Sequence, residues 1–193
     1  MSLPEPLPIA TARTTLRRLS TDDVAAFQAY RTDPEVGRWQ GWSPMTGAEA
    51  LAFLARMRRA PLFVPGEWCQ IGIAVRTQDG TAEDGTLIGD IGLGIDPCDP
   101  RLAQVGFSLH RRWQGRGLAA EAVEAACELL FARAGMRRIE AVTDTRNTSS
   151  IRLLERLGFR REGTEEALFR GLPCREHRYA RERAWNAGSG LKT

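Results

Sequence analysis

The chain has 193 residues, of which 42% are hydrophobic and 26% charged, values ordinary for a globular protein with a core of its own. A net charge of +3 is too small to imply a nucleic-acid partner, and no apolar run approaches the roughly 18 residues of a membrane span. The start has no basic segment ahead of an apolar stretch, so no signal peptide is expected, and the location expected is the cytoplasm.

Residues 1–12 are proline-rich and expected to be a flexible N-terminus, residues 13–185 one domain, and residues 186–193 a flexible C-terminal tail. Residues 14–19 read as a strand. Ser20 or Thr21 caps a helix running through Tyr30, with Asp22 and Asp23 in its first turn, and Asp33-Pro34 ends it. Thr46 and Glu49 form a capping box for a second helix, with Leu51, Leu54, Ala55 and Met57 or Arg58 inward. Residues 68–76, 87–95 and 104–109 read as strands. Residues 118–134 form a long helix whose Ala119, Ala122, Val123, Ala126 and Leu130 share a stripe, and Gly135 stops it. A strand at 138–143, a short helix at 149–157 closed by Gly158, and strands at 164–169 and 176–184 follow. Helices and strands interleave without strict βαβ repetition, which predicts a single α/β domain.

Cys69, Cys98, Cys127 and Cys174 are widely spaced. They form neither a zinc set nor a disulfide framework and are expected to be small buried hydrophobes. With only His110 and His177 as histidines, no metal is expected.

The segment Arg112-Trp-Gln114-Gly115-Arg116-Gly117-Leu118 joins a strand to the long helix. The first amides of a helix lack intrahelical partners and carry the positive end of its dipole. Two glycines allow close backbone approach, and Arg112 and Arg116 add charge, which suits a pyrophosphate. A tight turn with two solvated arginines is the plainer alternative. Gly115 to Ala120 also reads as G-x-G-x-x-A with Glu140 some twenty residues on, the pattern of a dinucleotide-dependent oxidoreductase. Its late position, with about seventy residues after it, argues against that.

Arg112-x-x-Gly115-x-Gly117 after a strand resembles the pyrophosphate loop of the GNAT acetyltransferase superfamily. Asn147-x-x-Ser150-x-x-Leu153-Leu154-x-x-Leu157-Gly158-Phe159 resembles its second motif. Leu16-Arg-x-Leu19, Asp33-Pro-Glu-Val36 and Trp42-x-Pro44-x-Thr46-x-x-Glu49-Ala50-x-x-Phe53-Leu54 are similar to the branch containing the ribosomal-protein N-terminal alanine acetyltransferases, as are Arg170-Gly171 to Glu176, Tyr179 and Trp185. The resemblance covers residues 13–185. It implies the acyl-CoA N-acyltransferase fold, a mixed central sheet of about six to seven strands flanked by about four helices.

It also implies the chemistry: an N-acetyltransferase in which a primary amine attacks acetyl-CoA directly in a ternary complex. The acceptor is a protein N-terminal alpha-amine or a small-molecule amine. Amides from Gln114 to Leu118 would hold the pyrophosphate, and Phe107, Ser108 and Leu109 would pair with the pantetheine arm as an added edge. The N–H of Leu109 would stabilise the oxyanion. The strand 104–109 lacks the glutamate of many members, so the base is sought among Glu166, Glu165, Glu140, Asp144, Glu67 and Asp90 or a water chain, with Glu166 the branch-based choice. Leu154 stands where many members carry the acidic tyrosine, and Ser150 takes that role in the branch. Asn147 would hold the cofactor amide or cap the helix. Trp39 and Trp42 either line the acceptor pocket or pack their loop onto the sheet. A homodimer is compatible with such folds, and a non-catalytic coenzyme A- or protein-binding member of the same fold is the alternative function.

Overall fold

The computed structural model describes residues 5–77 and 79–183. The strands β1 (Ile9–Ala10), β2 (Thr14–Arg18), β3 (Trp68–Val75), β4 (Leu87–Ile95), β5 (Leu102–Leu109), β6 (Arg138–Asp144), β7 (Arg160–Phe169) and β8 (Leu172–Glu182) form one sheet of order β1-β2-β3-β4-β5-β6-β8-β7. The helices are α1 (Val24–Arg31), α2 (Pro34–Gly37), α3 (Gly47–Arg59), α4 (Leu118–Ala132) and α5 (Thr148–Arg156). Every strand pair among the described residues is antiparallel except β5–β6, so they do not form the doubly wound parallel sheet of a dinucleotide-binding domain.

The sheet has eight strands and five helices among the described residues, more than expected, for two local reasons. Part of the segment expected to be loose forms β1, paired to β2 at Ile9↔Leu16, and Leu7 is buried. Pro34 does not simply end a helix. Its fixed φ suits a first helical position, and Asp33 accepts a hydrogen bond from the Glu35 amide, so α2 begins there. The tail 186–193 and Trp185 lie outside the described residues. The predicted capping box is present, Thr46 bonding the Glu49 amide and Glu49 the Thr46 amide. The buried stripe of α3 is Ala50, Leu54 and Met57, while Leu51 is exposed. Cys69 and Cys127 are buried as expected, but Cys98 is exposed and Cys174 partly so.

All nine residues of β4 are buried. One core lies between the sheet and α4 and α5, built on Ile71, Ile91, Leu93, Val123, Leu130 and Ile139; a second lies under α1 and α3, built on Leu19, Phe27, Tyr30 and Leu54. Asp90 of β4 faces this second core. It accepts bonds from the Tyr30 hydroxyl (2.5 Å) and Arg31 Nη2 (2.8 Å), and all three side chains are buried. Burial raises the Tyr30 phenol well above its usual range, helped by the Asp90 charge, so it stays a donor. Breaking such a buried pair from one side costs about 3–5 kcal/mol. Asp90 therefore anchors α1 and is not among the residues that line the cleft.

Candidate active site

β5 and β6 start side by side and part. Their parallel register holds at Leu102↔Arg138, Ala103↔Ile139 and Gln104↔Glu140; beyond it each strand runs on unpaired with the other. The gap opens a cleft of about 650 Å³ lined by Val105 to Leu109, Ala141 to Thr143, the start of α4 and the inner face of α5. This volume suits a small-molecule ligand.

The exposed edge of β5 faces that gap. The His110 N–H bonds the Ile88 carbonyl, which makes Leu109–Gly89 a non-hydrogen-bonded pair. The peptide groups of Phe107 and Leu109 therefore point away from β4. Two glutamine side chains already meet their carbonyls: Gln40 Nε2 donates to Phe107 (3.0 Å) and Gln114 Nε2 to Leu109 (2.8 Å). Phe107, Ser108 and Leu109 all line the cleft. The Ser108 side chain is buried, and by the same alternation its peptide groups turn to Asp90 of β4.

At the end of β5 a single 3₁₀ turn, Arg111–Trp113, leads to Gly115 (φ 74°) and Gly117 (φ 79°). Both are left-handed, which other residues adopt only at a cost. Gly117 is the N-cap of α4 and supplies no side-chain cap, leaving the first-turn amides for another acceptor. A Cβ on Gly115 would meet nothing within 4 Å, so the loop is open above it. The Gln114 amide turns back to the Arg111 carbonyl, which leaves the anion-facing amides from Gly115 onward. Gly115, Gly117 and Leu118 line the cleft, whereas Arg112 and Arg116 do not. Arg112 pairs with Glu83, and Arg116 stacks over Trp113 while its carbonyl accepts from Arg13. Successive side chains in a 3₁₀ turn diverge by about 120°, and Arg111, with its Nε 3.8 Å from Asp33, is the arginine of this turn that lines the cleft. Arg152 and Arg156, one turn apart on α5, add charge from the other wall. Their i, i+4 spacing was the available signal for them.

Asn147 is the N-cap of α5, its Oδ1 accepting from the Ser150 amide (3.2 Å). Both residues line the cleft. Asn147 thus performs the capping that would otherwise have explained Ser150, whose hydroxyl takes no part in that bond.

The candidate carboxylates separate. Glu166 is exposed on β7 opposite Arg175 and is not brought to the cleft. In the sheet β8 and β6 stand between β7 and the gap, which corrects the expectation of its placement. Glu165 is exposed and pairs with Arg178, Glu140 is held by Arg138, and Glu67 is exposed. Asp144 follows the cleft-lining Thr143 and is gripped by Arg146 at 2.9 and 2.7 Å. That bond holds its carboxyl below the usual range. Glu176 lies directly across β6–β8 from Asp144, and burial, with the Asp144 charge behind it, raises its carboxyl. Trp39 lines the cleft, with Arg38 and Arg146 against its ring at 4.8 and 5.6 Å. Trp42 instead packs on Arg31 at 4.5 Å.

Residues 13–160 match the family described as acetyltransferase (GNAT) domain. An uncharacterised N-acetyltransferase of Bacillus licheniformis, p20, is 31% identical over 153 residues, covering 79% of this chain and 82% of the relative. A GNAT-family acetyltransferase from Bacillus anthracis superposes with TM-score 0.78 at 21% identity, over 91% of this chain and 98% of that one. RimL, a ribosomal L7/L12 alpha-N-protein acetyltransferase in complex with coenzyme A, superposes with TM-score 0.73 at 17% identity, over 90% and 96%. The parted strands, the glycine-led helix and these likenesses agree: the chain belongs to the GNAT family of acetyl-CoA-dependent N-acetyltransferases.

Proposed function

We propose that this enzyme transfers the acetyl group of acetyl-CoA directly to a primary amine, with both substrates bound at once. The observation that carries the reading is the gap between β5 and β6, closed at one end by the first turn of α4 and flanked by Ser150 of α5. In this reading the amides of Gly115, Arg116, Gly117 and Leu118 hold the pyrophosphate. Arg111, Arg152 and Arg156 complement its charge, and the β5 edge pairs with the pantetheine arm. The amine nitrogen bonds to the thioester carbon, the C–S bond breaks, and the thiolate takes a proton through the Ser150 hydroxyl, which regains one from the ammonium of the tetrahedral intermediate. The Leu109 N–H meets the charge that develops on the carbonyl oxygen. Ribosomal-protein chemistry in a structural neighbour makes a protein N-terminal alpha-amine the first acceptor to test, with small amines second.

Titration calorimetry with acetyl-CoA, and NADPH as the control, tests the cofactor. Micromolar binding of acetyl-CoA alone is expected. A thiol-release assay over alanyl and seryl peptides and small primary amines then tests transfer. Binding without thiol release from any of them would move the protein to the non-catalytic reading.

The amine must lose a proton, and we assign that step to Glu176 acting through water, because it stands beside Asp144, which follows the cleft-lining Thr143 on β6, and its carboxyl is raised. A base acts only when deprotonated. With its carboxyl raised by burial, kcat at saturating substrates should fall as pH drops through a value above the usual glutamate range, about tenfold per pH unit. Glu176→Gln should flatten that acid limb; an unchanged limb would return the step to another group.

A further inference from the structure

We propose that Arg170 is a positioning residue for acceptor binding: from the β7–β8 turn it latches the loop between α2 and α3 over the open end of the cleft. The inference rests on the acetyl-transfer reading and concerns the side of the site that the acceptor must enter.

Arg170 Nη2 lies 3.1 Å from the Gly37 carbonyl, 3.0 Å from that of Gln40 and 2.7 Å from that of Trp42. One guanidinium nitrogen carries two hydrogens, so the three carbonyls converge on it and share them. The bonds are charge-assisted. They join segments 128 to 133 residues apart in the chain. Arg170 also has φ 52°, a conformation non-glycine residues hold only when their surroundings compensate for it. Gly171 beside it is left-handed too and supplies the turn's freedom. Both angles are those that the two-residue turn joining Phe169 to Leu172 requires, so it is the three converging carbonyls, not the backbone, that single out Arg170.

What the latch holds is the acceptor-side wall. Gln40, whose carbonyl Arg170 takes, reaches across to the Phe107 carbonyl on the edge of β5. Trp39, between two latched residues, lines the cleft and carries Arg38 and Arg146 against its ring. Arg146 is fixed in turn by Asp144, across the sheet from Glu176. The loop, the hairpin and the β6–α5 connection thus meet at one rim, and Arg170 is the bond between the first two.

Two substitutions separate the latch from the turn. Arg170→Gly suits the left-handed backbone and removes only the guanidinium. Arg170→Lys keeps the charge and a single donor nitrogen but places it on a shorter side chain. Hydrogen exchange of residues 37–45 should quicken about tenfold or more in Arg170→Gly, the equivalent of losing one such bond, and by less in Arg170→Lys. Exchange in α4 and acetyl-CoA affinity should stay within about twofold. Under the thiol-release assay, KM for the amine that is turned over should rise about tenfold, with kcat and the KM for acetyl-CoA little changed. Unaltered exchange in residues 37–45 would overturn the latch itself, whatever the acceptor. Quickened exchange with an unchanged amine KM would confine Arg170 to a structural role and overturn its part in acceptor binding. Thiol release from no amine by the unsubstituted enzyme would count against the transfer reading, and with it against the acceptor role, while the exchange result would still decide the latch.

Discussion

Gly115→Asp should weaken acetyl-CoA binding about 100-fold, while Gly115→Asn weakens it far less. The pair isolates charge from shape. Gly115 has φ 74°, and Asn and Asp are the non-glycine residues that best tolerate that region. A Cβ there meets nothing within 4 Å, so both variants should fold. They differ only in the charge set beside the first-turn amides of α4. Two like charges about 4 Å apart repel by about 4 kcal/mol at an effective dielectric constant of 20. Because Gly115 is exposed, solvent screens part of this, and about 100-fold is what remains. Calorimetry of both variants at one ionic strength reads the difference directly. Equal affinities would mean that the pyrophosphate sits elsewhere and that the glycines serve the turn alone.

The glycine loop was legible in the sequence because its information is local. Strand, left-handed glycines and helix start within a dozen residues, and each leaves its own signature. The capping box at Thr46 and Glu49, the cap at Asn147 and the stop at Gly135 were legible for the same reason. Strand order was not. β7 and β8 are neighbours in sequence, yet it is β8 that inserts beside β6, a non-local pairing that no local pattern encodes. Glu166 was expected near the chemistry because the branch that the chain resembles carries a glutamate on the strand before the last hairpin; the insertion leaves it two strands from the gap, and Glu176 one. The choice between Arg111 and Arg112 was hidden differently. Both are arginines in one 3₁₀ turn, and only its rotation decides which faces the cleft. The stripe of α3 was read one residue late, from Leu51 rather than Ala50, because alanine is a weak hydrophobic marker. The Arg170 latch needs both the hairpin and the loop in place, so no one-dimensional reading contains it.

Ser150→Ala should lower kcat by about 10²–10⁴ with acetyl-CoA affinity changed less than about twofold. The structure makes this a clean substitution. Asn147 accepts the Ser150 amide, and alanine keeps that amide, so the cap of α5 survives. Alanine also raises helix propensity in the first turn, so the fold should lose nothing. What is removed is one hydroxyl on the cleft wall, able to give a proton to the departing thiolate. Leu154 holds the position where the resemblance puts a tyrosine, and its side chain is buried, so it offers no substitute. An effect confined to kcat would mark an interaction made in the transition state and not on binding. The leaving group adds a second discriminator: loss of a general acid should fall most heavily on poor leaving groups, so the thioester of a more acidic thiol should recover rate in Ser150→Ala. A near-normal kcat with acetyl-CoA would instead make water the proton donor, and Ser150 would then be a wall of the cleft and nothing more.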